Sequence, residues 1–134
     1  MKVAVLGSGG REHAIVWKLS QSQRIKELFC LPGNPGIEQL AKCVPLPLHD
    51  HQSLIHWAKK EAISLTVVGP EDPLSNGIVD SFLAAGLQIY GPNQKAAQLE
   101  SSKTFAKQIM KIYGISTARS ASFTELEPAL RYVE

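Results

Sequence analysis

The sequence predicts an α/β protein built on a parallel sheet flanked by helices, and three observations predict it. Apolar runs of strand length alternate with amphipathic stretches at helical spacing, the pattern of strands joined by crossover helices. The opening run, Lys2–Leu6, is apolar without alternation, as suits a strand buried on both faces. Turns rich in Gly and Pro follow the apolar runs at Gly7–Gly10, Pro32–Gly36, Gly69–Pro70 and Gly91–Pro92.

Taken in order, Lys2–Leu6 is the first strand, and a helix from about Arg11 to Ser20 turns Ala14, Ile15 and Leu19 to the sheet. Glu27–Leu31 is the second strand. Pro32-Gly33-Asn34-Pro35-Gly36 excludes a regular element and forces a loop. His51–Ala62 is helical with Leu54, Ile55, Ala58 and Ala62 on one face, and Leu65–Val68 is a β-branched strand. Ile78, Val79, Phe82 and Leu83 repeat at helical spacing until Gly86, and Leu87–Tyr90 closes a sheet of at least four strands. Beyond Asn93 two helical stretches follow without a strand between them, Gln94–Leu99 and Ser102–Tyr113, the second with Phe105, Ile109 and Ile112 on one face. This change of rhythm places a domain boundary near Glu100, dividing residues 1–100 from residues 101–134. Thr117–Phe123 reads as a strand, and Thr124-Glu125-Leu126-Glu127 as a capping box that opens a last helix.

The 134 residues are 44% hydrophobic and 19% charged, a mixture that forms a packed core and excludes a disordered or low-complexity chain. A net charge of +2 with scattered Lys and Arg builds no basic stripe, so no nucleic-acid partner is expected. The apolar start is too short for a signal sequence or a membrane span, and a cytoplasmic protein with no membrane partner is expected. Cys30 and Cys43 lie in apolar stretches without metal-ligand spacing and read as reduced core residues. His13, His49, His51 and His56 lack ligand spacing with either cysteine, and His49-Asp50-His51 reads as a surface turn; no metal site is expected.

Gly7-Ser8-Gly9-Gly10-Arg11-Glu12-His13 lies between a strand and a helix, where glycines permit a tight turn and bare helix-start amides face an anion. The dinucleotide fingerprint wants Gly or Ala where Glu12 stands, and an acidic residue at the end of the second strand, where Leu31-Pro32 stands. Gly69-Pro70-Glu71-Asp72-Pro73-Leu74-Ser75-Asn76-Gly77 also follows a strand and precedes a helix. In an open parallel sheet both loops belong beyond the carboxyl ends of the strands, so they share one crevice. Arg11, Glu12 and His13 are placed for contact there. Glu71 and Asp72 are suited to an amine or to hydroxyls through charge-assisted hydrogen bonds, although an acidic residue at this position also favours the following helix start.

Together GSGGREHA (Gly7–Ala14), PGNPG (Pro32–Gly36), GPEDPLSNGIVD (Gly69–Asp80) and GPNQKAAQLESSK (Gly91–Lys103) resemble the glycinamide ribonucleotide synthetases over the whole chain and in the expected order. Asp72 stands where Ala is more usual in that family. The resemblance implies a Rossmann-like pre-ATP-grasp domain over residues 1–100 and the start of an ATP-grasp domain over residues 101–134. It implies an ATP-dependent ligase of purine biosynthesis that joins glycine to 5-phosphoribosylamine, with ATP and Mg2+ bound mainly by the remaining ATP-grasp region of the same protein. Gly9, Gly10, Arg11 and Glu12 on one loop, and Glu71 and Asp72 on the other, would orient substrate; Lys103 would face the nucleotide phosphates. No residue here is expected to act as a covalent nucleophile or to ligate the metal, and the 134 residues alone are expected to be inactive. Two competing readings are a nicotinamide-binding oxidoreductase domain, suggested by Gly7-Ser8-Gly9, and a non-enzymatic binding module that keeps the fold.

Overall fold

In a computed structural model, residues 1–133 are described and form two compact units, the first Met1–Ala97 and the second beginning at Gln98. The elements run β1 (Lys2–Gly7), α1 (Gly10–Ser20), β2 (Glu27–Pro32), a single 3-10 turn (Ile37–Gln39), β3 (Lys42–Cys43), α2 (His51–Lys60), β4 (Leu65–Val68), α3 (Glu71–Ser75), α4 (Ile78–Ala84), β5 (Ile89–Tyr90), α5 (Gln94–Ser101), α6 (Lys103–Ile112) and α7 (Leu126–Val133).

All strand pairs are parallel, in the order β3-β2-β1-β4-β5. The chain therefore winds outward from β1 in one direction, returns, and winds outward in the other. The reversal falls between β1 and β4, paired with Val5 opposite Val67, and it is at such a point that loops above adjacent strands diverge and leave a crevice. The unbroken apolar run of β1 has a direct structural cause. Val3 and Val5 enter one cluster with Val16, Leu28, Cys30 and Ile37, under α1 and the 3-10 turn. Ala4 and Leu6 enter the other with Phe29, Leu54, Ala58, Ile78 and Phe82, under α2 and α4. Both faces of β1 are covered, so both sets must be apolar.

The helices explain their own boundaries. The Asp50 carboxylate caps α2 by accepting from the Ser53 amide at 3.0 Å, and Ser53, through its side chain first and its backbone second, holds the Asp50 carboxyl below its usual range. Gly77, at φ 81°, supplies the left-handed turn that separates α3 from α4. At the amino-terminal ends of β1, β2 and β3, Lys42 and then Lys2 hold the Glu27 carboxyl below its usual range, with Lys42 Nζ 2.8 Å from Glu27 Oε2. Among the described residues no helix is long and apolar enough to cross a membrane.

Several details differ from the expectation. The sheet has five strands, in keeping with the expected minimum of four, but one of them, the two-residue β3, is too short to produce a periodic signal. In α1 the buried positions are Glu12 and Val16, with Ile15 and Leu19 beside them, while Ala14 is exposed; the buried face is turned toward a carboxylate that apolar periodicity does not count. Ala62 lies past the end of α2 at φ 54°, a turn residue and not a face residue. Leu83 lies outside the buried face of α4. Glu71–Ser75 is helical despite Pro73, which falls in the first turn, where a missing amide hydrogen costs nothing. Thr117–Phe123 forms no strand; these residues are exposed and have no neighbouring strand to receive their backbone groups. Helix α7 begins at Leu126, later than a cap at Thr124 would set it.

Both cysteines are free. Burial, then the neighbouring Cys43 thiol and the Glu12 carboxylate, push the Cys30 thiol up to about 12; Cys43 is raised chiefly by burial and is only partly covered. A disulfide-exchange reagent at pH 8 is expected to modify Cys43 first and to reach Cys30 only when the fold opens, since the thiolate is the reacting species. Simultaneous reaction of both thiols in the folded chain contradicts this assignment. Adjacent residues of α4 give a second test. Phe82 is 1% exposed and Leu83 is 54% exposed, so Phe82→Ala is expected to cost about 3–5 kcal/mol in denaturant unfolding and Leu83→Ala no more than about 0.5 kcal/mol.

Candidate functional site

The β1–α1 and β4–α3 loops leave neighbouring strands at the switch point, and a cleft of about 490 Å3 opens there, lined by Gly7, Ser8, Gly9, Glu12, Leu48, His49, Pro70, Asp72, Pro73 and Asn76. The side chain at its floor is Glu12, 4% exposed. As the third residue of α1, Glu12 reaches back to the helix start, where its Oε2 accepts from the Gly9 amide at 2.7 Å. Glycine surrounds it. Gly7, at φ 129°, and Gly69 each lack the Cβ that would collide with the Glu12 side chain, so the ends of β1 and β4 approach it as bare backbone.

Arg11, beside it, turns the other way. Its Nη1 donates to the Gly69 carbonyl at 2.5 Å and lies 3.5 Å from Glu71 Oε2, tying α1 to the β4–α3 loop. A third brace comes from the PGNPG segment. Asn34 donates through Nδ2 to the Ser8 carbonyl at 2.7 Å and accepts through Oδ1 from the Ile37 amide at 3.0 Å. His13 lies against Gly36, whose absent Cβ would come 3.0 Å from the imidazole Cε1.

Of the residues singled out from sequence, Gly9, Glu12 and Asp72 line the cleft. Gly10 is the first residue of α1, and Arg11 and Glu71 hold each other beside the lining. Lys103 opens α6 in the second unit, exposed and without a hydrogen bond or ion pair among the described residues; Ser102 caps that helix by accepting from the Phe105 amide at 3.3 Å. Leu48, His49 and Asn76 line the cleft without having been anticipated as site residues. Leu48 and His49 arrive on the β3–α2 connection, and with β3 unrecognised nothing in the sequence brought that connection to this edge of the sheet. Asn76 stood within the anticipated Gly69–Gly77 loop, and its polar side chain there was the available signal. Among the described residues no group of three or more His, Cys, Asp or Glu could hold a metal ion.

Residues 1–100 match the family model described as "Phosphoribosylglycinamide synthetase, N domain". The chain belongs to this family. A phosphoribosylamine–glycine ligase of Caldanaerobacter subterraneus subsp. tengcongensis is 52% identical over the whole chain, which spans 32% of that protein; one from Neisseria meningitidis serogroup B is 53% identical over 99% of the chain and 31% of its own length. The chain thus spans about a third of the curated synthetase relatives it matches. Among solved structures, phosphoribosylamine–glycine ligase from Thermotoga maritima superposes with a TM-score of 0.64 at 35% identity, over 89% of this chain and 26% of that one. The biotin carboxylase domain of Hydrogenobacter thermophilus 2-oxoglutarate carboxylase, solved with MgADP, ADP and bicarbonate, superposes with a TM-score of 0.74 over 98% of this chain and 32% of that one, at 16% identity, a likeness of fold alone. The synthetase fold thus begins with the same wound sheet as a carboxylase.

The packing of glycine around Glu12 is directly testable. Gly69→Ala is expected to cost about 1–3 kcal/mol, as overpacking does, because the new methyl group must displace a carboxylate that is already holding a helix start. Combined with Glu12→Ala it should cost less than the sum of the two changes, by about 0.5–3 kcal/mol. Strict additivity in a double-mutant cycle would mean that the two sites do not meet.

Proposed function

We propose that this chain supplies part of the substrate surface of a phosphoribosylamine–glycine ligase, which joins glycine to 5-phosphoribosylamine with cleavage of ATP to ADP and phosphate. The observation that supports the reading best is the cleft at the β1/β4 switch point, built from loop motifs of a chain whose family is the synthetase N domain. A carboxylate is a poor acyl donor. Phosphorylation of glycine by ATP gives the carbonyl a leaving group, and the amine of phosphoribosylamine then attacks it; bound magnesium and cationic side chains offset charge on the phosphates.

No covalent enzyme nucleophile is needed, and the work left to this chain is to orient the amine-bearing substrate. Gly9, Glu12 and Asp72 would meet it in the cleft. Gly10 would present the start of α1, and the Arg11–Glu71 pair would keep the two loops in register. Lys103, exposed and unpartnered among the described residues, suits a phosphate contact with the nucleotide. Lys107 does not, because its Nζ is engaged by Thr117 Oγ1 at 2.7 Å and the Ala118 carbonyl at 2.8 Å. The magnesium ligands and most of the nucleotide site would come from the remaining ATP-grasp region, the protein would work in the cytoplasm, and these 134 residues alone would not complete ligation.

Calorimetric titration with glycinamide ribonucleotide, the stable product, checks the substrate half of this proposal. Binding is expected, weakened about tenfold in Glu71→Ala, a loss of about 1.4 kcal/mol, with unfolding curves confirming that the variant is intact. Magnesium-ATP should bind far more weakly than in a full-length relative. A folded chain that ignores the product, or that binds NADH with enhanced nicotinamide fluorescence, would defeat the proposal, the second result in favour of an oxidoreductase domain.

A further inference from the structure

A glycine-rich turn running into a helix normally offers an anion its bare amides and the positive end of a dipole. The β1–α1 turn has those parts, and α1, with 11 residues, is long enough to carry the dipole. We propose that the carboxylate of Glu12 is this helix's own anion: it fills the amide cradle of α1, closes it to phosphate, and leaves that end of the cleft to an amine- or hydroxyl-bearing part of a ligand.

The cradle is filled from within the fold. Glu12 Oε2 accepts from the Gly9 amide at 2.7 Å, and the residue is only 4% exposed. Its other oxygen, Oε1, has no hydrogen-bond partner among the described residues and lies over Gly69, at a point a Cβ there would occupy. The space that glycine creates at positions 7 and 69 is therefore taken up by a side chain and is not kept for a ligand.

Charge acts in the same direction. Asp72 is a second carboxylate in the lining, and no Lys or Arg is among the residues that line the cleft. Arg11, the cation of this loop, is committed to the Gly69 carbonyl and to Glu71. A phosphate arriving at the start of α1 would have to break the Gly9–Glu12 bond and sit beside two carboxylates with only His49 in the lining to offset its charge. An ammonium or a hydroxyl group would instead find acceptors, Glu12 Oε1 and the Asp72 carboxylate. For a sugar phosphate the consequence is an orientation, with the sugar or amine end toward α1 and the phosphate end away from it.

Inorganic phosphate is the probe, followed through the backbone amide resonances of the 15N-labelled chain, so the result does not depend on whether the ligase assignment holds. In the wild-type chain the Gly9, Gly10 and Arg11 amides are expected to show no saturable shift. Glu12→Ala, verified as folded from its dispersed spectrum, empties the cradle and should gain at least about tenfold in phosphate affinity at those amides, equivalent to about 1.4 kcal/mol. Saturable phosphate shifts at Gly9 and Gly10 in the wild type overturn the proposal, and so does a folded Glu12→Ala variant that gains none. Should Glu12→Ala not fold, Glu12→Gln keeps the side chain's shape and removes its charge. It should then show a smaller gain at the same amides, and no gain again overturns the proposal.

Discussion

The geometry of the site depends on one carboxylate held between two strand ends. Glu12 sits where β1 and β4 finish, is bonded to the amide that starts α1, and is flanked by Gly7 and Gly69 because no other residue leaves it room. Its position is fixed by one hydrogen bond to the Gly9 amide and by close packing against the backbone at Gly7 and Gly69. Removing the carboxylate would leave a helix-start amide without its partner and a gap beneath two loops. Enlarging either glycine would expel the side chain from a place it can leave only by breaking its bond to Gly9. The loops above β1 and β4 consequently have one arrangement, and the cleft between them inherits it.

Two further side chains make that arrangement stiff. Arg11 spans from α1 to the Gly69 carbonyl and Glu71, while Asn34 secures the Ser8 carbonyl from the side of β2. Arg11 and Glu12 are adjacent in sequence but point to different partners, so the first turn of a single helix organises both loops. The exposed Arg11–Glu71 pair contributes little by Coulomb attraction alone, because solvent screens it. Its hydrogen bond to a backbone carbonyl gives it a fixed geometry, and this is what distinguishes it from the Lys2–Glu27 and Lys42–Glu27 pairs at the amino-terminal ends of the strands.

Much of the fold could be read from sequence because its signals are local. The double-sided burial of β1 shows as an uninterrupted apolar run, β4 was bounded correctly by Leu65 and Val68, and α2 and α4 carry their buried faces at helical spacing. What escaped depends on contacts distant in sequence. Two residues of β3 form a strand only because β2 is beside them, and without β3 the connection bearing Leu48 and His49 had no reason to be placed at the cleft. Apolar spacing puts Ala14 on the inward face of α1, but Glu12 is buried there and Ala14 is exposed, because a buried carboxylate breaks the rule that buried means apolar. In the second unit, Thr117–Phe123 had the composition of a strand without a partner strand.

The candidate site was legible in its loops and less so in its side chains, and the proposed chemistry gives a reason for the division of labour now visible. Where ATP activates the acyl donor, the protein has no bond to make; its contribution is to hold an amine within attack distance of a carbonyl. A displacement of about 1 Å is enough to cost roughly a hundredfold in such a reaction. Residues spent on rigidity are then as consequential as residues that touch substrate, which fits a first turn in which Arg11 binds backbone and Glu12 binds the helix start. The same glycines that suggest a phosphate cradle in the sequence serve here to admit a side chain. A glycine loop before a helix therefore identifies a close backbone approach, and only the identity of what approaches, in this chain the carboxylate of Glu12, decides which ligand group the loop can receive.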